Sequence, residues 1–368
     1  MGFCSPRRAT FLIAMTLAIA LAASAAVASA SRDAGHAKIS SARAPVAKLI
    51  WGPVTLPNGK SAFPTYHKLG VNVFEIDLDW ATTAPTRPSN PQDPNDPAYQ
   101  WPAELNVALS QAARYGISIC LLVQKTPTWA NGGRSSDWEP TDPADYANFL
   151  IAASRRYPAV RHWMIWGEPN RDGNFEPMPV NSSVGPRAYA LLLNAAYHAL
   201  KQVSKANIVI GGDTWSFGTV EPADFLRWMR LPDGKPPPLD DYGHNPFSRR
   251  FPQAGQQPYF PGGRDIDDLA TLEAQLVKTY HRRVPEWLSE FTISSNHTNY
   301  AFSFDVSREQ QAKWVTAAFS LVNSYNFVAG LGWFELLDQP PGRNALTNGL
   351  ETWALAPKPA FSAYEHAR

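Results

Sequence analysis

The sequence predicts a (β/α)8 barrel, an α/β fold in which eight parallel strands alternate with helices and close into a cylinder. Short apolar runs alternate eight times with longer stretches of helical periodicity, and no glycine-rich fingerprint of an open nucleotide-binding sheet accompanies them. The chain has 368 residues, of which 44% are hydrophobic, enough for one barrel or for two ordinary domains.

The predicted strands are the short apolar runs Lys48–Val54, Val71–Trp80, Ile117–Gln124, His162–Trp166, Asn207–Gly212, Leu239–His244, Glu286–Phe291 and Gly330–Leu336. Helical periodicity follows them at Ser61–Leu69, Ala103–Tyr115, Ala144–Tyr157, Arg187–Ser204, Ala223–Arg230, Asp265–Tyr280, Arg308–Ser324 and Lys358–His366. Two α/β domains would need a linker. The one linker-like stretch, Ala84–Tyr99, directly follows the second strand, where a barrel has a functional loop. The sequence therefore favours a single barrel.

Residues 1–30 have the pattern of an export signal. Arg7 and Arg8 precede the apolar run Phe11–Ala22, and Ala28-Ser29-Ala30 offers a small-residue cleavage site. An uncleaved membrane anchor is the alternative, because the uncharged stretch is long enough to span a bilayer. We expect a secreted protein with a flexible lead-in over 31–45, a barrel over 46–368 and no stable membrane insertion after processing.

The composition argues against several classes of partner. Lys and Arg number 33 against 32 Asp and Glu, so no basic excess is available for nucleic acid or an anionic membrane. Cys120 is the one cysteine after the export signal, and its apolar neighbours predict a buried thiol without a disulfide. The histidines form no close pair of metal-ligand type. We expect a monomer without metal or cofactor.

Tryptophans follow several predicted strands, at the edge where a barrel has its chemistry. Flat apolar rings beside carboxylates and amides suit a sugar, which needs stacking for its C–H faces and hydrogen bonds for its hydroxyls. Core packing is the alternative for any single ring, and we favour it for Trp163, Trp228 and Trp314. The tryptophans predicted to bind a carbohydrate substrate are Trp80, Trp129, Trp215 and Trp333.

Two carboxylates have the placement that glycoside cleavage requires. Glu168 follows the apolar run Trp163–Trp166 at the end of the fourth strand, and Glu290 stands at the end of the seventh. Such a reaction needs one protonated acid for the leaving oxygen and one ionised group facing the sugar carbon. A salt-bridge partner or a solvated rim residue is the alternative for an isolated glutamate. Two of them at one barrel mouth favour catalysis.

The segment Trp163-Met164-Ile165-Trp166-Gly167-Glu168-Pro169-Asn170 resembles the strand-four motif of the retaining glycoside hydrolases built on the 4/7 type of (β/α)8 barrel, and Pro285–Phe291 resembles their strand-seven segment. The cellulase-like and xylosidase-like families are the most similar. The resemblance implies hydrolysis of O-glycosidic bonds with retention and carboxyls about 5 Å apart. It makes Glu168 the acid/base and Glu290 the nucleophile. Further substrate-binding residues are expected at Asn170, His244 and Trp333.

The sequence departs from that family at two positions. Gly167 stands where the family has an asparagine before the acid/base, and Glu75 stands where it has a strand-two arginine. Strand alternation turns Glu75 and Asp77 into the barrel, where they would modulate the charge of Glu290. Arg134 and Arg171 follow the third and fourth strands and could supply positive charge, although a plain surface position is favoured.

These departures leave two alternatives to a hydrolase. One is a carbohydrate-binding barrel that has lost catalysis. The other is a transglycosidase, which passes the same glycosyl intermediate to an acceptor sugar.

Overall fold

The computed structural model of the protein describes residues 45–299 and 304–368. The predicted export signal at 1–30 and the lead-in up to residue 44 lie outside the described residues. No helix within the described ranges is long and apolar enough to cross a membrane.

The described residues form a closed barrel of eight parallel strands, which confirms the predicted fold class. Each strand pairs with the next, and the first pairs with the eighth over Ala47 to Ile50. The strands are β1 (Ala47–Ile50), β2 (Val73–Asp79), β3 (Ser118–Gln124), β4 (His162–Ile165), β5 (Ile208–Trp215), β6 (Asp241–Asn245), β7 (Glu286–Phe291) and β8 (Val328–Trp333).

Helices cover the outside of the barrel, and two of them, α3 and α8, have the bounds that the sequence predicts. A short helix after β2 was not predicted; its first turn is capped by the Asp79 carboxylate, which accepts a hydrogen bond from the Thr82 N–H at 2.8 Å. The helices are α1 (Phe63–Lys68), α2 (Trp80–Thr83), α3 (Ala103–Tyr115), α4 (Pro143–Arg156), α5 (Val184–Val203), α6 (Pro222–Trp228), α7 (Leu269–Tyr280), α8 (Arg308–Ser324) and α9 (Pro359–His366).

Two apolar layers hold the fold together. The barrel interior is filled by a small cluster that includes Leu49, Cys120, Met164 and Trp287, and the buried Cys120 is the packed thiol that the sequence predicts. A much larger cluster lies between the sheet and the helices. Burial of this extent is the main source of stability, and it leaves the strand ends at the barrel mouth for polar groups.

The last helix is tied to the first strand by a buried lysine. The Lys48 ammonium donates hydrogen bonds to the carbonyl oxygens of Tyr364 at 2.6 Å and Ala367 at 3.4 Å, at the carboxyl end of α9. In return, the Tyr364 hydroxyl donates to the Leu49 carbonyl at 2.8 Å. A cation at a helix C-terminus complements the helix dipole, so these contacts hold the two ends of the barrel sequence together.

Candidate active site

The backbone after β4 is strained and well supported. Trp166 and Glu168 adopt left-handed φ angles of 66° and 45°, a conformation that costs free energy for residues with a side chain. The Trp166 N–H donates to the Val123 carbonyl at 3.0 Å, and the Glu168 N–H donates to the Asp213 carbonyl at 3.0 Å. Hydrogen bonds from β3 and β5 therefore fix the direction in which the Glu168 side chain leaves the strand end.

The Glu168 carboxylate is surrounded by donors. One oxygen, Oε2, forms an ion pair with the Arg171 guanidinium and accepts a hydrogen bond from the Asn174 amide at 3.4 Å. The other, Oε1, accepts from the Asn245 amide at 3.2 Å. These contacts hold the carboxylate in one position at the barrel mouth.

A single side chain connects the two predicted catalytic glutamates. The Asn245 amide that donates to Glu168 also accepts a hydrogen bond at its carbonyl oxygen from the Glu290 N–H, at 3.1 Å. Both glutamates line the same cleft. The structure therefore brings Glu168 and Glu290, which lie far apart in sequence, to one site at the barrel mouth.

Glu290 has the opposite electrostatic environment from Glu168. Burial raises the pKa of the Glu290 carboxyl well above its ordinary value, and the negative charges of Glu168, Asp213, Glu75 and Asp77 raise it further. In the absence of a ligand, Glu290 therefore favours its protonated form.

The inward-facing acids of β2 contribute to this environment. Glu75 is fully buried, and its Oε1 accepts a hydrogen bond from the Trp287 indole at 2.8 Å, while its Oε2 has no partner in the described residues. Burial raises the pKa of Glu75 well above its ordinary value, and the Asp213 charge adds to the shift. Asp77, two residues further along β2, is more exposed to solvent than Glu75. Both side chains lie where strand alternation places them.

The space beside Gly167 is filled by a side chain of the neighbouring strand. A Cβ atom at Gly167 would lie 3.1 Å from Leu122 Cδ2 and 3.3 Å from Gln124 Oε1. The Gln124 amide donates to the Asp77 carboxylate at 2.9 Å. The similar families have an asparagine at the position of Gly167. Here the amide next to that position belongs to Gln124 on β3 instead of to a residue after β4.

Aromatic rings line the cleft in which the two glutamates lie. Its volume is about 610 Å³, within the usual range for a small-ligand site. The Trp215 ring is partly exposed there. The Arg171 guanidinium lies over this ring, 4.3 Å from the ring centroid. The aromatic side chains of the cleft are Trp215, Phe217, Phe247, Tyr259, Phe260, Phe304 and Phe334.

Three of the predicted substrate-binding side chains are buried away from the cleft. Trp80 stacks on Phe149 in the outer core, and Trp333 packs edge-on against Phe291 with its indole donating to a loop carbonyl. The His244 ring contacts the Thr214 hydroxyl at 2.9 Å and the Arg264 carbonyl at 3.2 Å, and burial lowers its pKa to about 4. Trp80, His244 and Trp333 therefore present no surface to a ligand.

Trp129 and Asn170 also have other contacts. The Trp129 indole donates to the Ala84 carbonyl at 2.7 Å, and the ring carries the Arg87 guanidinium at 4.4 Å. Asn170 is fully buried and makes two hydrogen bonds with the Trp215 backbone, at 2.8 and 2.9 Å. The Asn170 side chain fits there because residue 218 is a glycine. A Cβ atom at Gly218 would lie 1.9 Å from the Asn170 amide nitrogen. Asn170 therefore positions Trp215 instead of facing the cleft.

The two arginines named from the sequence have different surroundings. Arg134 lies over the Trp138 ring at 4.3 Å and does not line the cleft, whereas Arg171 lines the cleft between Glu168 and Trp215. Across residues 45–299 and 304–368, no three His, Cys, Asp or Glu side chains are arranged to hold a metal ion.

No protein-family model matches the sequence, and no curated protein matches it either. Several solved structures share the fold. A family 39 glycoside hydrolase from the gut symbiont Bacteroides cellulosilyticus is 17% identical, with a TM-score of 0.63 over 87% of this chain. The family 39 enzyme from Xanthomonas axonopodis is 16% identical and a monomeric β-xylosidase from Caulobacter crescentus 14%, each with a TM-score of 0.62 over 88% of this chain.

The chain shares the barrel fold of these family 39 structures. At this level of identity the likeness concerns the fold alone. This chain covers 63% of the Bacteroides structure, 67% of the Xanthomonas structure and 68% of the Caulobacter structure.

Several cleft residues were not predicted from the sequence. Asn245 directly follows His244 on β6, so alternation turns their side chains to opposite faces, and the family resemblance pointed to His244 instead of Asn245. Tyr259, Phe260 and Phe304 come from long segments after β6 and β7, for which no periodicity gives a position.

Proposed function

We propose that this protein is a secreted glycoside hydrolase that cleaves O-glycosidic bonds of a poly- or oligosaccharide with retention. The observation that carries the proposal is the meeting of Glu168 and Glu290 in one aromatic cleft, with Asn245 hydrogen-bonded to both. Export follows from the sequence pattern of residues 1–30 alone.

In the proposed reaction, the Glu168 carboxylic acid donates its proton to the glycosidic oxygen while a Glu290 carboxylate oxygen attacks the anomeric carbon. The C–O bond to the leaving sugar breaks, and a glycosyl ester of Glu290 forms. Glu168, now ionised, removes a proton from water. The resulting hydroxide attacks the anomeric carbon and breaks the ester, which returns both carboxyls to their starting state.

Glu290 must be ionised for this attack, and its surroundings oppose ionisation. Burial raises the pKa of the Glu290 carboxyl well above its ordinary value, and the charges of four surrounding acids raise it further. Arg171 pairs with Glu168 and covers one face of the Trp215 ring. A sugar stacked on Trp215 would displace Arg171 from that face.

The names of similar structures guide the choice of substrate. They include β-xylosidases and a glucosidase, so aryl β-xylosides and β-glucosides are the first compounds to test.

The test uses Glu168→Gln and Glu290→Gln against the unaltered protein, with Glu104→Gln, an exposed acid on α3, as the matched control. The turnover rate of an aryl glycoside should be at least about 100-fold lower in both site variants than in the unaltered protein, and unchanged in the control. Azide should rescue Glu168→Gln and give a glycosyl azide whose anomeric configuration is that of the substrate. Full turnover in either site variant would refute the proposal.

A carbohydrate-binding barrel without catalysis is the second candidate. Burial and four neighbouring carboxylates raise the pKa of Glu290. A raised pKa disfavours the ionised form that attacks the sugar, and this favours a barrel that binds without cleaving. Isothermal titration with xylan and glucan oligosaccharides distinguishes it from the hydrolase. A binding protein would show affinity without turnover by the unaltered chain, and Glu290→Gln would keep that affinity.

A further inference from the structure

A second concave surface lies outside the catalytic cleft, between α6, the loop that follows it, and α7. Its volume is about 970 Å³. Within the described residues it shares no lining residue with the cleft. We call it the basic groove because its lining contains five cations, Arg227, Arg230, Lys235, Arg264 and Lys278.

The groove concentrates positive charge in a nearly neutral protein. Asp224 is the one acidic side chain in the lining, as far as the chain is described, so the groove has a formal charge of +4. The whole chain has a formal charge of +1. Such a local excess attracts anions into the groove.

Arg264 is a buried cation with an unused donor. The residue is 8% exposed, and its guanidinium donates to the Gly263 carbonyl at 2.6 Å and to the Gln275 side chain at 3.0 Å. The Nε–H has no hydrogen-bond partner in the described residues. No carboxylate of the described chain forms an ion pair with Arg264. The nearby Asp268 does not replace such a partner, because burial raises the pKa of its carboxyl to about 7. Burying an arginine in this state is costly unless an anion completes its contacts.

Three of the other cations are available to a ligand, whereas the Arg230 guanidinium donates to the Leu226 and Met229 carbonyls at 2.9 Å. Arg227 pairs with Asp224 at 2.8 Å and Lys235 pairs with Asp233 at 3.1 Å, both at exposed positions where ion pairs contribute little and exchange easily. Lys278 is exposed and has no ion-pair partner among the residues described. Guanidinium and ammonium groups together suit oxyanions such as carboxylate, sulfate or phosphate.

We propose that the basic groove is an accessory binding site for an oxyanion-bearing glycan. Its volume accommodates several sugar units and exceeds the need of a single ion. Tyr280 and Pro236 in the lining offer apolar faces for sugar rings. The choice of a glycan over other polyanions rests on the proposed function. The groove shares no described lining residue with the cleft, so it would hold charged parts of a polymer away from the cleaved bond.

The test measures binding by isothermal titration with three probes: an oligogalacturonate, a sulfated dextran oligomer and a neutral dextran oligomer. The unaltered protein should bind one or both acidic probes and not the neutral one. The double variant Lys235→Ala/Lys278→Ala should weaken that binding about tenfold, because two exposed charges are lost without a change in the core. Arg264→Gln should weaken it further, with folding checked by near-ultraviolet circular dichroism.

The matched control is Lys60→Ala/Lys205→Ala, which removes two exposed lysines elsewhere and leaves the same net charge. It should keep the affinity for the acidic probes. Equal weakening by both double variants, or failure of either acidic probe to saturate, would overturn the proposal. A duplex DNA oligomer that binds as tightly as the acidic glycans would overturn the glycan assignment.

The groove proposal and the hydrolase proposal can be refuted independently of each other. Binding is measured directly and also in Glu290→Gln, so absent aryl glycoside turnover with intact acidic-glycan binding would refute only the hydrolase. The lysine variants should hydrolyse small neutral aryl glycosides at the unaltered rate. Turnover without acidic-glycan binding would refute only the groove.

Discussion

Arg171 forms an ion pair with Glu168, three positions before it on the loop after β4. The same guanidinium lies 4.3 Å from the centroid of the Trp215 ring. One cation therefore covers both the proposed acid/base and the partly exposed tryptophan at which a sugar would stack. A sugar that stacks on this face of Trp215 would therefore have to displace Arg171.

Arg171→Gln should change substrate binding. Removing the guanidinium exposes the Trp215 face, so KM for an aryl glycoside should fall by about two- to tenfold. Arg171→Lys keeps the charge but lacks the flat guanidinium that covers the ring, and is the matched control. A KM that is identical in Arg171→Gln and the unaltered enzyme would contradict this account.

The raised pKa of Glu290 predicts the acidic limb of the activity profile. Only the ionised carboxylate can attack the anomeric carbon, so kcat/KM should rise with pH at values clearly above 4.5, the ordinary value for a glutamate. Glu75→Gln removes one of the neighbouring carboxyls and should shift this limb to lower pH. Measuring kcat/KM between pH 4 and 9 checks both expectations. An acidic limb at or below pH 4.5 would mean that Glu290 is not the titrating nucleophile.

The raised pKa of Glu290 also predicts that this residue lowers stability at neutral pH. A carboxyl whose pKa is higher in the folded than in the unfolded protein stabilises the fold at low pH, and that contribution is lost as pH rises above the unfolded value. Glu290→Gln does not titrate and should therefore raise Tm at pH 8 but not at pH 4. Each tenfold difference in proton affinity between the folded and unfolded chains corresponds to about 1.4 kcal/mol of stability. Calorimetry at both pH values is the measurement, with Glu104→Gln as control, and a pH-independent difference would contradict the assignment.

Local patterns in the sequence were sufficient for the barrel and for part of the mouth. Alternation along β2 depends only on backbone geometry, and it correctly turns Glu75 toward Trp287 in the barrel interior. Glu168 and Glu290 meet because parallel strands bring their carboxyl ends to one edge, which requires no knowledge of side-chain contacts.

Contacts between elements decide the residues that the sequence placed wrongly. Trp333 lies on the same face of β8 as Leu331, two residues before it, and packs beside Phe291 in the outer core. Asn245 follows His244 on β6, so alternation turns the two side chains to opposite faces, and the Asn245 amide is the one that contacts both glutamates. The family resemblance that placed His244 and Trp333 in the cleft carries no information about these contacts.

Gly167 and Gln124 should show coupled effects. In Gly167→Asn the new side chain meets Gln124 and Leu122, so the unfolding free energy should fall by about 1–3 kcal/mol. Gln124→Ala alone should reduce kcat/KM by about tenfold if its amide serves the bound sugar. The double variant should recover part of both losses, because the asparagine then takes the vacated space. Additive losses in a double-mutant cycle would show that the two positions are independent.

Lys48 should be more important for stability than a surface lysine. Lys48→Met removes the hydrogen bonds to the Tyr364 and Ala367 carbonyls and should lower the unfolding free energy by about 2 kcal/mol, whereas Lys60→Met, at an exposed turn, should change it little. Burial lowers the pKa of Lys48 from 10.5 to about 8.

Between pH 8 and 10.5 the unfolded chain therefore binds a proton at Lys48 that the folded chain does not. The unaltered protein should gain stability relative to Lys48→Met as pH rises through this window. Chemical denaturation of both proteins at pH 8 and pH 10 measures the difference. A gap that narrows with rising pH would mean that the ammonium is not desolvated at the end of α9.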